Sequence, residues 1–307
     1  MATISAKDVA ALRAETGIGM MECKKALVEA DGDKDKALKV LRERGLAVAA
    51  KKEARIAAEG VVDVLKADGK TVIIEVNAET DFVAKNEVFK EFVKGVMRTI
   101  IACNPADVEA LKECKFDGTD VTVDGQLSEM RFKIGEKITI RRFRMVEGTT
   151  GTYVHHDAST AVVVCLDAVE NDTVAECARK LALQVAGSTP APKYVRREEV
   201  PADVYEEEKS IQIAAMKNDP KNANKPDNIL EKIVMGKMGK FYESVCLLDM
   251  EYLFGEDSMS VQKYVESMAK EGGAITVKSF ILYNKGEGLE KRQDDFAAEI
   301  AALTGKQ

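Results

Sequence analysis

The sequence predicts an α+β protein, and three patterns along the chain support this prediction. Apolar residues recur at helical spacing through residues 1–56, which is typical of a small helical bundle. Residues 60–77 change to the alternation of β-strands on either side of Asp68-Gly69, a dipeptide typical of a two-residue hairpin turn. Helical spacing returns over residues 86–101, so we expect helices combined with small antiparallel sheets.

Residues 1–56 are predicted to form an N-terminal domain of three short helices. Ser5 or Asp8 caps the first helix, and the segment 16–19, which holds two glycines, ends it. The second helix runs from Met20 to Ala30, and the third ends at Gly45. The residues predicted to face the core of this bundle share helical spacing: Val9, Leu12, Ala37, Leu38 and Leu41.

Residues 57–142 are predicted to form the first part of a two-part core. After the hairpin, the helix over residues 86–101 places apolar residues on one face: Val88, Phe89, Phe92, Val96 and Ile100. Residues 103–125 follow no regular pattern. From Phe132 to Arg144 apolar and basic residues alternate, which predicts a strand with a basic outer face.

Residues 143–283 are predicted to form the second part of the core. Ala161–Leu166 is a short apolar run typical of a buried strand. Thr173 to Glu176 matches the capping-box pattern, in which each end residue satisfies a free backbone N–H of the first helical turn, and so predicts a helix start. Further along, a helix is predicted from Val261 to Ala269, between strands at 244–248 and 275–283.

An antiparallel helical hairpin is predicted to interrupt this second part at about residues 190–240. Its arms are Ala202–Asn218 and Asp227–Met238, joined by a polar turn. The apolar stripe on each arm is thin, which favours a protruding hairpin over a full bundle. Residues 284–307 are predicted to form a C-terminal helical module, with Phe296, Ile300 and Leu303 on one face.

Composition and charge argue against several classes of function. The chain has 307 residues with 45 Lys+Arg and 52 Asp+Glu, a net charge of −7, which disfavours direct binding of nucleic acid. Its six cysteines form no C-x-x-C pair and its two histidines are adjacent, so we predict no metal and no cofactor. Neither a secretory signal nor an apolar run of bilayer length is present, so we expect a cytoplasmic protein with no membrane contact.

Two motifs that suggest catalysis lack the companions they need. Asn224-Lys225-Pro226-Asp227 matches the N-K-x-D tetrapeptide with which GTPases recognise guanine, but no phosphate-binding loop precedes it. The nearest match, Gly272 to Ser279, has Val277 in place of the second glycine. His155 or His156 can serve as a general base, yet no recognisable nucleophile motif accompanies them. We therefore predict that the chain is not an enzyme, and a GTPase is the least favoured alternative.

The segment Thr80-Asp81-Phe82-Val83 lies between a predicted strand and a predicted helix and has two interpretations. In the first, Asp81 caps the helix and Phe82 packs into the core, which composition alone favours. In the second, Phe82 lies exposed at the tip of a rigid corner. An exposed Phe forgoes about 1.5–3 kcal/mol of burial, so a Phe held at a tip indicates insertion into a partner.

The chain resembles the bacterial translation elongation factor Ts family almost from end to end. Residues 103–130 and 190–260 depart most from the family. The resemblance is densest in these segments: Thr16–Leu27, Glu75–Lys85, Ile134–Glu136 with Arg141-Arg142, and Gly286–Lys291.

This resemblance implies a guanine-nucleotide exchange factor for elongation factor Tu (EF-Tu). It implies that the N-terminal helices form a domain like the ubiquitin-associated type. It also implies that Thr80–Val83 reaches the region of the bound Mg²⁺ in the partner. There, Phe82 would wedge between partner helices, and Asp81 would hold the local hydrogen bonds. After His155, aligning the chain with the family requires one extra residue, which leaves open whether His155 or His156 is the contact residue. The other partner contacts that it implies are Met20, Met21, Lys24, Lys51, Ile134, Gly135 and His155.

Alternatives remain at several of these positions. Met20 and Met21 are also compatible with the core of the helical bundle, and Lys24 and Lys51 with solvated charges. A different function, a scaffold or dimerisation module, is compatible with the helical hairpin at residues 201–239, through which a homodimer would form.

Overall fold

A computed structural model describes residues 4–16, 18–52, 55–218, 226–255 and 258–290. The fold is α+β with small antiparallel sheets, as predicted. The chain divides into two compact units: unit 1 comprises residues 1–65, 72–145 and 283–307, and unit 2 comprises residues 66–71 and 146–282. In the described part of the chain, no helix is both long enough and apolar enough to cross a bilayer.

The N-terminal bundle of unit 1 consists of helices α1 (Ala6–Thr16), α2 (Met20–Glu29) and α3 (Lys34–Lys52). Ser5 and Asp8 cap α1 reciprocally, since Asp8 Oδ2 accepts from the Ser5 N–H at 3.1 Å and Ser5 Oγ accepts from the Asp8 N–H at 3.2 Å. The predicted end of the third helix at Gly45 is wrong, because α3 continues to Lys52. The predicted core is confirmed for the buried residues Val9, Leu12, Ala37 and Leu41, with the partly buried Leu38 packed against them.

The first sheet has the order β1-β2-β3, with strands β1 (Glu59–Ala67), β2 (Lys70–Ala78) and β3 (Ile138–Glu147). The predicted hairpin turn is confirmed, because Asp68 and Gly69 have φ angles of 53° and 72°. Two consecutive positive φ values are what a type I′ turn requires. The central strand β2 is buried from Thr71 to Ala78.

Four helices follow β2 before β3 begins: α4 (Asp81–Lys85), α5 (Glu87–Cys103), α6 (Val108–Glu113) and α7 (Val123–Ile134). α5 buries Phe89, Phe92, Val96 and Ile100 as predicted, whereas Val88 is exposed.

The prediction of a strand beginning at Phe132 is wrong. Residues 132–134 form the last turn of α7, which ends at Gly135 with a φ of 83°, and β3 begins only at Ile138. A glycine in the left-handed region is the usual end of a helix, and that conformation separates α7 from β3.

Unit 2 contains the second sheet, of order β4-β5-β6, with β4 (Thr150–Val154), β5 (Thr160–Asp167) and β6 (Thr276–Asn284). The sequence patterns did not indicate β4, which pairs antiparallel with β5 from Thr150 opposite Cys165 to Val154 opposite Ala161. Gly151 permits this strand to lie against helix α8 (Asp172–Gly187), since a Cβ there would come within 2.0 Å of the Ala178 carbonyl oxygen.

α8 (Asp172–Gly187) buries Val174, Cys177, Leu181 and Val185 against the second sheet. The predicted capping box at Thr173 is wrong. Asn171 is the N-cap residue, and its side-chain oxygen accepts from the Val174 N–H at 2.9 Å. Asparagine competes with threonine for this position because it is at least as good an N-cap.

The helical hairpin consists of α9 (Ala202–Lys217) and α10 (Asp227–Val245). It has a small core of its own, formed by Met216, Leu230, Val234 and Met238. The predicted strand at residues 244–248 is wrong, because α10 extends to Val245 and the following residues form turns. α11 (Val261–Gly272) then leads to β6. The C-terminal helical module lies outside the described residues beyond Glu290, and the four-part domain division stays a prediction.

Candidate protein-interaction site

The Thr80–Val83 segment forms a corner between β2 and α5. α4 is a single short turn of five residues, and a helix of that length is unstable unless neighbouring structure holds it. Glu136, just beyond the end of α7, provides this support. Its Oε2 accepts from the Thr80 N–H at 3.0 Å, and its Oε1 accepts from Thr80 Oγ1 at 2.7 Å.

A second set of contacts connects the same two segments in the opposite direction. The Lys137 N–H donates to Glu79 Oε1 at 2.5 Å, and Arg55 Nη1 lies 3.3 Å from both oxygens of Glu79. Residues 79–80 and 136–137 therefore hold one another through two carboxylates. The corner is fixed to unit 1 by charge-assisted hydrogen bonds, which are stronger than neutral ones.

Phe82 is 78% exposed at this corner, whereas the adjacent Val83 is only 5% exposed. The buried Val83 side chain thus holds α4 against the core, and the Phe82 side chain projects away from the core. The interpretation in which Phe82 packs inside is wrong, and Asp81 is not the N-cap, because Thr80 occupies that position. Asp81 instead pairs with Lys85 at 2.7 Å, and the hydrogen bond from Lys85 lowers the pKa of Asp81.

A groove of about 600 Å³ opens beside Phe82. It brings together two of the predicted contact regions, since Phe82 and Val83 line it from α4 and Ile134 lines it from the end of α7. Val88, which is 54% exposed, adds apolar surface from the first turn of α5. The remaining lining residues come from the same segments and from the end of α1: Ala14, Glu15, Thr16, Asn86, Lys133 and Glu136.

The predicted contact residues of the N-terminal bundle lie on its surface. Met20 is 50% and Met21 64% exposed at the start of α2, and Lys24 is also exposed. The alternative placement of Met20 and Met21 in the bundle core is therefore wrong. Val28, 57% exposed and seven residues after Met21, extends the same helix face. Lys51 belongs to α3, but its side chain lies outside the described residues.

The other predicted contact residues occupy the ends of elements. Gly135 is exposed and ends α7 in a left-handed conformation that a side chain would strain. His155 follows β4 in unit 2, where it is half-buried and its Nδ1 lies 2.7 Å from the Tyr153 hydroxyl. His156 is exposed, and its ring centre lies 4.4 Å from that of His155. His155 is thus half-buried and held by the Tyr153 hydroxyl, whereas His156 is exposed.

Sequence patterns did not single out Glu136 or Val88 as residues of the site. Glu136 was visible only as the last member of the Ile134–Glu136 segment, and nothing local indicates that its carboxylate reaches Thr80, 56 residues away in the chain. Val88 fits the helical spacing of buried residues. Its exposure follows from its position in the first turn of α5, at the edge of the groove.

Glu136→Gln is expected to loosen α4. Because the amide carries no charge, the two hydrogen bonds from Thr80 to the Glu136 carboxylate become neutral at best, and since bonds to a charged group contribute about 1.5–3 kcal/mol each and neutral bonds about 0.5–1.5 kcal/mol each, the pair loses about 2–3 kcal/mol. We expect the opening free energy of the amides of residues 79–85 to fall by roughly this amount. Hydrogen exchange followed by mass spectrometry measures it.

The matched control for this substitution is Glu129→Gln. Glu129 is a carboxylate within α7, near Glu136 in the chain, but it pairs with Lys133 at 2.8 Å on the surface. This control should leave exchange at residues 79–85 unchanged. Equal exchange in wild type and Glu136→Gln would contradict the anchoring role of Glu136.

An exposed aromatic side chain on an anchored turn, beside a groove lined by both apolar and polar side chains, defines the class of the site. Such a surface is typical of proteins that act by docking on another protein. In the described residues, no group of three or more His, Cys, Asp or Glu side chains has an arrangement suited to a metal ion.

Comparison with known proteins identifies the family. The sequence profile described as Elongation factor TS matches residues 79–287. The chain is 44% identical to Elongation factor Ts of Syntrophotalea carbinolica, over 98% of this chain and 99% of the relative, and 44% identical to that of Symbiobacterium thermophilum, over 99% of each. It is 41% identical to Elongation factor Ts of Clostridium botulinum, over 99% of this chain and 100% of the relative. The chain belongs to the elongation factor Ts family, which gives it a role in translation elongation.

Proposed function

We propose that the chain is a guanine-nucleotide exchange factor that binds EF-Tu–GDP, promotes GDP release by disturbing the Mg²⁺ and phosphate site, and so allows GTP to load. The observation that carries this proposal is the exposure of Phe82 on a corner that Glu136 and Glu79 hold rigid. Membership of the elongation factor Ts family supports EF-Tu as the partner in this proposal. The chain acts by binding and performs no covalent chemistry.

Exchange in this scheme is driven by the burial of Phe82. Its exposed ring gains about 1.5–3 kcal/mol when a partner covers it. Since the corner is anchored, we expect the helices of EF-Tu to move around the ring, and with them the groups that hold Mg²⁺ and phosphate. A flexible corner would yield first and leave the nucleotide site intact.

The remaining contacts hold the complex while the nucleotide is absent. We propose that Met20, Met21, Lys24 and Lys51 contact the nucleotide-binding domain of EF-Tu. We propose that a second group of residues contacts EF-Tu away from the nucleotide. The second group comprises Ile134, Gly135 and His155. Exposure of Met20, Met21 and Lys24 supports their role, and the groove that Phe82 shares with Ile134 supports a surface continuous with the corner.

We further propose that the chain acts in the cytoplasm. All six cysteines are free thiols, and free thiols persist where the environment is reducing.

A binding experiment tests the exchange proposal at equilibrium. Coupling between two ligands is reciprocal, so if the chain weakens GDP, then GDP with Mg²⁺ weakens the chain by the same factor, typically about 5- to 150-fold. Calorimetric titration should give tighter binding to nucleotide-free EF-Tu than to EF-Tu–GDP–Mg²⁺. Equal affinities would contradict the proposal. Labelled GDP mixed with the chain alone is the control, and binding there would support the GTPase alternative.

A second candidate function is dimerisation through the helical hairpin. Ile211, Ile229 and Met235 are 54%, 44% and 62% exposed on its two arms, which provides an apolar surface for a second copy. A variant without residues 201–239 should keep its exchange activity and change its oligomeric state in light scattering. Loss of exchange with unchanged association would contradict this role for the hairpin.

A further inference from the structure

The end of α7 contacts two other parts of unit 1 at once. Phe132, in the last turn of α7, packs against the apolar core of the N-terminal bundle. Ile134 lines the groove beside Phe82, and Glu136 holds Thr80 through two hydrogen bonds. One helix end therefore contacts both the bundle and the corner that carries Phe82.

Gly45 of α3 lies directly against Phe132. A Cβ on Gly45 would lie 3.3 Å from Phe132 Cβ and 3.4 Å from Phe132 Cγ, which is tighter than ordinary van der Waals contact. α3 continues as a helix through this position, where glycine is destabilising relative to alanine. The close approach of Phe132 accounts for a glycine there. The bundle and α7 are thus fitted to each other at this contact.

The bundle also forms one wall of the groove beside Phe82. Ala14, Glu15 and Thr16, at the end of α1, line this groove together with Phe82 and Ile134. Because α1 is part of the bundle, displacement of the bundle from α7 would remove this wall. The shape of the groove therefore depends on the contact that Phe132 makes.

We infer that Phe132 is a positioning residue, which docks the N-terminal bundle on α7 so that the bundle and the Phe82 corner meet EF-Tu as one assembled surface. This inference rests on the proposed exchange function. Met20 and Met21, the exposed residues of the bundle proposed to contact EF-Tu, begin α2 four residues after the groove wall ends at Thr16. An assembled surface loses less conformational freedom on binding, and the apparent affinity falls in proportion to the fraction of molecules in which it is not assembled.

Release of GDP from EF-Tu at increasing concentrations of the full chain separates positioning from wedging. In Phe132→Ala, the concentration that gives half-maximal acceleration should rise by about 10-fold, because loss of a packed aromatic ring lowers the docked fraction by about that factor. The maximal rate should stay within about twofold of wild type, since the hydrogen bonds from Thr80 to Glu136 hold the corner without the ring. Phe82→Ala should instead lower the maximal rate.

Two further variants control for a general loss of stability. Phe132→Leu keeps an apolar contact with the bundle and should restore most of the wild-type half-maximal concentration. Phe280→Ala is the matched control, because Phe280 is also a partly buried phenylalanine packed against an apolar core, but in unit 2. It should leave the half-maximal concentration unchanged. Circular dichroism shows whether each variant is folded.

The paired substitution Gly45→Cys with Phe132→Cys replaces the contact by a bond that a reductant breaks. The 3.3 Å between the two Cβ positions is close to the separation of about 3.5–4.5 Å that disulfides require. Oxidised with glutathione disulfide, this variant should join α3 to α7 and show the wild-type half-maximal concentration. Reduced with dithiothreitol, it should behave as Phe132→Ala. Wild type carried through both treatments controls for its own six cysteines.

The wild-type curve distinguishes two kinds of failure. If wild type does not accelerate GDP release, the proposed exchange function fails, and the role of Phe132 fails with it. If wild type accelerates release, the role of Phe132 is overturned when a folded Phe132→Ala gives the wild-type half-maximal concentration. It is also overturned when the oxidised and reduced forms of the paired variant give the same curve, which decides the matter even if Phe132→Ala does not fold.

Discussion

Replacement of Phe82 by alanine is expected to slow release of GDP from EF-Tu by about 10- to 150-fold. This range corresponds to the loss of about 1.5–3 kcal/mol of apolar burial in the state where the ring is inserted, at roughly 1.4 kcal/mol per tenfold change in rate. Because Phe82 is 78% exposed, its removal should change the stability of the free chain by less than about 0.5 kcal/mol. Stopped-flow release of fluorescent GDP measures the rate.

The matched control for this prediction is Phe254→Ala. Phe254 is also an exposed phenylalanine, at 45%, but it lies in unit 2, with Lys180 Nζ 5.1 Å from its ring centre. Its removal should leave GDP release near the wild-type rate. Release at the wild-type rate by Phe82→Ala, with its fold intact by circular dichroism, would contradict the wedge hypothesis.

The second large effect is expected from Glu75→Gln, which should destabilise unit 1 by about 3–5 kcal/mol. The Glu75 side chain is completely buried. It pairs with Arg141 at 2.9 Å and Arg142 at 2.6 Å, and it accepts from the Gly286 N–H at 2.8 Å. Glutamine keeps the shape but removes the charge, so both guanidinium groups lose their buried partner. Urea unfolding followed by circular dichroism suits a chain without Trp.

Glu287→Gln is the control for the buried carboxylate. Glu287 pairs with the same Arg142 at 3.3 Å, but its side chain is 55% exposed. A pair with one solvated member contributes at most about 1 kcal/mol, so this variant should unfold close to wild type. Equal unfolding of Glu75→Gln and Glu287→Gln would contradict the importance of the buried charge.

The same substitution predicts a difference in acid sensitivity. Burial raises the pKa of Glu75, but hydrogen bonds from the Gly286 N–H, Asn77 and the two arginines outweigh burial, so the pKa lies below its ordinary value of 4.5. A lowered pKa in the folded state contributes stability that is present above the unfolded value and is lost as pH falls through the folded value. Wild type should therefore lose stability below about pH 4.5 more steeply than Glu75→Gln. Parallel pH profiles would contradict this assignment.

The types and spacing of neighbouring residues correctly predicted those elements that short-range interactions along the chain determine. The turn at Asp68-Gly69 and the buried face of α5 follow directly from residue type and spacing. The errors occur where two local signals compete. A helix and a strand are hard to distinguish around Phe132 because a few alternating residues fit either, and Gly135 decides the outcome. At α8, the sequence from Thr173 to Glu176 matches a capping box, but Asn171 is the N-cap residue.

The site was less predictable than the fold, because its supporting contacts are distant in sequence. Composition placed Phe82 inside, and the resemblance to a family placed it at a tip, where the structure has it. The hydrogen bonds from Thr80 to Glu136 and from Gly286 to Glu75 span 56 and 211 residues. Neither residue spacing nor charge pattern indicates such pairs. The rigidity on which the wedge hypothesis depends therefore became visible only in three dimensions.

The proposed function requires that this chain accelerate nucleotide release from EF-Tu. The most direct measurement is stopped-flow dissociation of fluorescent GDP from a bacterial EF-Tu, in the presence of Mg²⁺ and excess unlabelled GDP, at increasing concentrations of the chain. We expect a dissociation rate that rises with the concentration of the chain and then saturates. A rate equal to spontaneous dissociation at every concentration would contradict it.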